Sequence, residues 1–137
     1  MRVFLGGTCN ESTWREGLIK ALKIGYFNPV VDDWTPDCMA EEIKQREECD
    51  FCLYVITPKM TGVYSIAEVV DDSHKKKGKT LFCLLEIDEF YAFTPVQLKS
   101  LIAVKELLER NNVITFTSLD DVAEFLNKQA LNIIIPE

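Results

Sequence analysis

Six successive apolar residues, Phe51-Cys52-Leu53-Tyr54-Val55-Ile56, stand between Asp50 and the Thr57-Pro58 turn. A strand with one face in water alternates polar and apolar side chains, whereas a strand covered on both faces does not. This run therefore predicts a central strand in a parallel sheet, with helices packed above and below it. That requirement restricts the chain to the α/β class, in which apolar strands alternate with helical segments.

The remaining sequence supplies that alternation. Strands are expected at Arg2 to Leu5, Phe27 to Val31, Lys79 to Ile87 and Val113 to Phe116, with Pro29 marking an edge or irregular start because proline cannot donate to a ladder. Helices are expected from Trp14 to Lys23, from Pro36 to Glu48 and from Val63 to Lys77, with Gly78 as the stop of the last. Thr35-Pro36 reads as an N-cap with proline at the first helical position. Thr94-Pro95-Val96-Gln97 and Ser118-Leu119-Asp120-Asp121 read as capping boxes that open two later helices. The expected architecture is a three-layer α/β/α sandwich with a five-stranded, mainly parallel sheet and right-handed crossovers.

The chain has 137 residues, which suits one domain over 1–137, and no internal repeat or linker argues for a second. A net charge of -7 disfavours a binder of polymeric nucleic acid, which needs clustered Lys and Arg. No stretch approaches a signal-peptide core or a spanning helix, so the expected location is cytoplasmic, with no membrane partner. The five cysteines, at 9, 38, 49, 52 and 83, form a poor disulfide framework and are expected to be free thiols. Cys49 and Cys52 straddle a strand start rather than opening a helix, so they are not read as a redox pair. His74, the sole histidine, sits late in a helix beside Lys75-Lys76-Lys77, and no metal cluster is expected.

In an open doubly wound sheet, ligands bind outside the carboxyl ends of the strands, where strand order reverses. The loops to inspect are therefore Gly6-Gly7-Thr8-Cys9-Asn10, Asp32-Asp33-Trp34, residues 57–62 and Glu86-Ile87-Asp88-Glu89. They offer small residues for close backbone approach, Trp34 as an aromatic surface that can stack on a base, and carboxylates. Asn10 can bond a sugar hydroxyl or shape its turn. Trp14 and Arg15 can contact a ligand or pack beneath the first loop. On the helix after the central strand, Ile66, Ala67, Val69 and Val70 are expected to face the core. Tyr64 and Glu68, four residues apart, share another face. The helix dipole would favour ionised Glu68, suiting it as a nucleophile, although a solvated early-helix glutamate gives the same pattern.

Four stretches add a resemblance. Val3-Phe4-Leu5-Gly6-Gly7-Thr8 with Trp14-Arg15, Phe27-Asn28-Pro29 with Asp33-Trp34, residues 50–58, and Gly62-Val63-Tyr64-Ser65-Ile66-Ala67-Glu68 resemble the nucleoside 2-deoxyribosyltransferase family, in particular its short nucleoside deoxyribosyltransferase-like branch. The resemblance implies a flavodoxin-like fold and cleavage of the N-glycosidic bond of a 2-deoxyribonucleoside, with transfer of the sugar to another nucleobase. It implies Glu68 as the nucleophile that holds the sugar covalently, and Asp33 or Glu42 as the group that assists base departure. Tyr64 and Ser65 would lie near the 5′ end of the sugar. It also implies no cofactor, a nucleoside or nucleotide and a free base as partners, and a homo-oligomer with Asp88 to Phe93 as a place for the contact. Gly62 stands where the resemblance would put a second aspartate. An N-glycoside hydrolase and an inactive nucleotide-binding module are the alternatives.

Overall fold

The structure is a computed structural model that describes residues 1–9, 11–31 and 33–134. The elements run β1 (Arg2–Gly7), α1 (Trp14–Ala21), β2 (Gly25–Phe27), α2 (Pro36–Glu48), β3 (Phe51–Ile56), α3 (Tyr64–Lys75) and β4 (Thr80–Leu84). A hairpin of β5 (Ile87–Asp88) and β6 (Tyr91–Ala92) comes next, then α4 (Pro95–Arg110), β7 (Ile114–Phe116) and α5 (Leu119–Ile134). Five strands form one sheet in the order β2-β1-β3-β4-β7, and every pair in it is parallel. This is a flavodoxin-like three-layer sandwich with β3 at its centre.

Each residue of β3 is buried, as its unbroken apolar run requires. Successive side chains of a strand point to opposite faces, so the central strands feed two cores. On one face Val3, Leu5 and Leu53 pack with Trp14 and Leu18 of α1 and with Val122 and Leu126 of α5. On the other, Phe4, Tyr54 and Ile56 pack with Val69 of α3 and Leu101 and Leu108 of α4. The expected caps are present: Thr35 Oγ1 accepts from Cys38 N at 3.4 Å, and Ser118 Oγ accepts from Asp121 N at 3.2 Å. Thr94 and Gln97 form a reciprocal box, at 3.2 and 2.9 Å.

Two strand ends and one core residue depart most from the sequence expectation. The second strand is not Phe27 to Val31 but ends at Phe27, the last residue in register with β1. Past it, Asn28 Oδ1 accepts from Val30 N at 3.1 Å, a local turn that competes with the ladder, and Pro29 has no N–H to give. The fourth strand stops at Leu84 because its partner β3 ends opposite it at Ile56, and Ile87 pairs with Ala92 in the hairpin instead. Ala67, expected in the core, is exposed, while Val69 carries the buried side of α3.

The hairpin is tied back to the sheet's carboxyl edge. Ser12 Oγ donates to Asp88 Oδ2 at 2.5 Å, and Lys59 Nζ pairs with Glu89 Oε1 at 2.8 Å. Phe90 at its tip is wholly exposed, whereas Phe93 packs against the second core. No helix among the described residues is long and apolar enough to cross a membrane. All five cysteines are unpaired, with Cys49, Cys52 and Cys83 buried.

Candidate active site

Strand order reverses between β1 and β3, and there the loops that leave the two strands diverge to opposite sides. The divergence opens a cavity of about 460 Å³, within the usual range of small-ligand sites. Backbone geometry explains the glycines at its floor. Gly7 has φ +114, and a Cβ there would lie 2.0 Å from the Val55 carbonyl oxygen. A Cβ on Gly6 would lie 2.6 Å from the Tyr54 ring. Small residues thus let β1 close against β3, and they leave the backbone bare toward the cavity.

The first loop is then locked in place. Thr8 N donates to Val55 O at 2.9 Å, and Thr57 N donates to Thr8 Oγ1 at 3.0 Å, which joins the two switch-point loops. The side chains of Trp14 and Arg15 both donate to Thr8 O at 2.7 Å, and Arg15 Nε donates to Leu5 O at 3.0 Å. Both residues therefore hold the loop from beneath, and Arg15 also lines the cavity. Burial brings the Arg15 guanidinium down to about 10, against the opposing pull of Cys9 and Glu42.

The structure brings Gly6, Gly7, Trp34, Glu42, Tyr64, Ser65 and Glu68 together on the cavity wall. Trp34 is 53% exposed, so one ring face is available to a planar ligand. Asp33 is exposed and does not line the cavity; its carbonyl receives the Cys38 thiol at 3.9 Å. Asn10 lies outside the described residues. Gly62 lines the wall with nothing within 4 Å of where its Cβ would stand.

Glu68 is not a solvated helix glutamate. Its side chain is only 14% exposed, and burial raises its carboxyl from 4.5 to about 7, against the lowering pull of Arg46 and with the help of Glu42 and Asp72. The helix dipole favours ionised Glu68, but desolvation outweighs it because protein atoms cover most of the side chain. Glu42, on α2 and also lining the cavity, is likewise raised by burial, with Arg46 and Arg15 opposing. Two carboxyl groups poised above their ordinary range on one wall can divide nucleophilic and proton-donating work.

Sequence reasoning missed Arg46 and Asp72. Arg46 Nη1 lies 3.6 Å from Glu68 Oε2, and its Nη2 lies 2.9 Å from Asp72 Oδ1. Asp72 in turn receives the Tyr54 hydroxyl at 2.5 Å. The signal was present as spacing: Glu42 and Arg46 are four apart on α2, and Tyr64, Glu68 and Asp72 are four apart on α3. Each set makes a polar stripe on one helix face, but which helix faces which is not written in either stripe.

A model of the family described as "nucleoside 2-deoxyribosyltransferase like" matches residues 1–87 of the chain. The match spans β1 through β4, the segment that builds the whole cavity wall. No curated protein matches the chain.

Proposed function

Because this chain belongs to the nucleoside 2-deoxyribosyltransferase-like family, we propose that it cleaves the N-glycosidic bond of a 2-deoxyribonucleoside and passes the sugar to a second base. Glu68 is the nucleophile. Its carboxylate oxygen bonds to the anomeric carbon as the bond from that carbon to the base nitrogen breaks. The departing base takes the bonding electrons and a proton, which Glu42 supplies from its raised carboxyl. A ring nitrogen of the incoming base then attacks the same carbon, Glu68 leaves as carboxylate, and Glu42 recovers a proton from that nitrogen. This is retaining glycosyl transfer, with two displacements through oxocarbenium-like transition states.

The observation that carries the proposal is the half-sequestered Glu68 carboxyl on the wall of the switch-point cavity. A value of about 7 leaves a large anionic fraction at neutral pH, and desolvation strengthens the anion as a nucleophile. Trp34 supplies a stacking surface for the base, and Tyr64 and Ser65, at the start of α3, lie beside Glu68 for the sugar. Gly62 brings no carboxyl to the base, so the acceptor has fewer fixed contacts and water is a competing acceptor.

The test is chromatography of a reaction with one deoxyribonucleoside and a different free base, alongside a reaction without acceptor, for wild type and Glu68→Ala. A new nucleoside formed by wild type, with at least a 10³-fold loss in the variant, is the expected result. Free base formed at a rate indifferent to acceptor would make the protein a hydrolase. Turnover unchanged in Glu68→Ala would overturn the role of Glu68.

A further inference from the structure

Arg46 is anchored on one side and open on the other. Its side chain is only 13% exposed. Nε donates to Asp72 Oδ2 at 3.3 Å and Nη2 to Asp72 Oδ1 at 2.9 Å, a two-toothed grip that sets the guanidinium plane. Nη2 also reaches Asp71 Oδ2 at 3.2 Å. The grip is itself backed by the central strand, since Tyr54, wholly buried on β3, donates its hydroxyl to Asp72 at 2.5 Å. The remaining arm, Nη1, stands 3.6 Å from Glu68 Oε2. That is ion-pair range, yet longer than the roughly 2.7–2.9 Å of a closed charge-assisted hydrogen bond.

We propose that Arg46 is a positioning residue for Glu68: the Tyr54–Asp72–Arg46 chain holds a cation beside the Glu68 carboxylate, close enough to favour the anion and too far to occupy the attacking oxygen. The inference rests on Glu68 being the nucleophile. Of the charged groups that face Glu68, Glu42 from α2 and Asp72 from α3 disfavour its anion, and Arg46 favours it. Arg15, from α1, lines the same cavity and acts on Glu42. A cation at this range lowers a carboxyl by about 1–3 units, so its loss would leave burial and two acidic neighbours unopposed. Arg46 would also be fixed before substrate arrives, because Asp72 and the Tyr54 behind it are buried and neither lines the cavity.

The experiment is a pH titration by carbon NMR of protein labelled at the glutamate carboxyl carbon, with Glu68→Gln identifying the resonance. Arg46→Met is compared with Arg46→Lys and, since Met leaves Asp72 without its cation, the double variant Arg46→Met, Asp72→Asn is read against Asp72→Asn alone, which removes the acidic neighbour's own effect on Glu68. The midpoint for Glu68 should rise by at least about one unit in the Met variants and by much less in Arg46→Lys. The acidic limb of kcat/KM should move with it, so that the Met variants fall about fivefold or more below their matched parents near pH 7 and the ratio closes toward pH 9. An unmoved midpoint in the folded double variant, or an activity loss equal at every pH, would overturn the proposal. Turnover that survives in Glu68→Ala would instead remove the nucleophile reading, and the NMR midpoint would still decide whether Arg46 governs the charge on Glu68.

Discussion

A carboxyl whose proton is held more tightly in the folded chain than in the unfolded one makes stability fall as pH rises. Glu68 is such a group, with a folded value of about 7 against 4.5. Between those two values the folded state binds more protons, so the destabilisation is absent below about pH 4.5 and complete above about pH 7. At 1.36 kcal/mol per unit it reaches up to about 3 kcal/mol. Glu68→Gln keeps the shape without the charge. Thermal unfolding should show the variant more stable than wild type at pH 8, by several degrees, with the advantage gone near pH 5; an equal gain at both would show that the Glu68 charge is not the cause. Gly6 and Gly7 show the opposite case, because their smallness was legible as room for a ligand, while the structure adds that β3 needs the same room.

At the scale of elements, α2 is the odd member. Gln45 is the buried residue along its length, and Met39 and Ile43 are exposed. Its contacts with α3 are made by Arg46, through Asp71, Asp72 and Glu68, rather than by an apolar stripe. Helices held this way open at lower free energy than those sealed by apolar burial. Hydrogen exchange should therefore find α2 amides exchanging at least about 100-fold faster than those of β3, with ligand binding slowing α2 most because Glu42 lies on the cavity wall. Equal protection in α2 and β3 would contradict this. The start of α2 was readable, since Thr35-Pro36 caps it as expected. What it packs against was not, because a helix without an apolar stripe carries no mark of its partner.

At the scale of the whole molecule, the family match ends at residue 87, yet both cores draw on residues beyond it. Val122, Ala123 and Leu126 complete one, and Leu101, Leu108 and Val113 complete the other. Burying a large apolar side chain stabilises by about 1.5–3 kcal/mol, so the five valines and leucines among them account for roughly 10 kcal/mol, comparable to the net stability of a domain. A chain cut after Ile87 should lose cooperative urea unfolding and near-ultraviolet dichroism although it keeps the cavity wall. A sharp transition in that fragment would show that β1 to β4 form a core without α4 and α5. The class of the fold, the central place of β3, the helix caps and the loops that meet at the switch point could all be read from residue order, because each comes from local pattern: apolar period, cap chemistry and the fixed hand of the crossover. Side-chain partnership across elements could not. That Arg46 of α2 meets Glu68 and Asp72 of α3, that Asp33 stands away from the cavity while Glu42 lines it, and that Glu68 is desolvated all depend on how two helices settle on one sheet face. Contact and burial are properties of that packing, and a periodic pattern says which side of a helix is polar without saying what stands opposite.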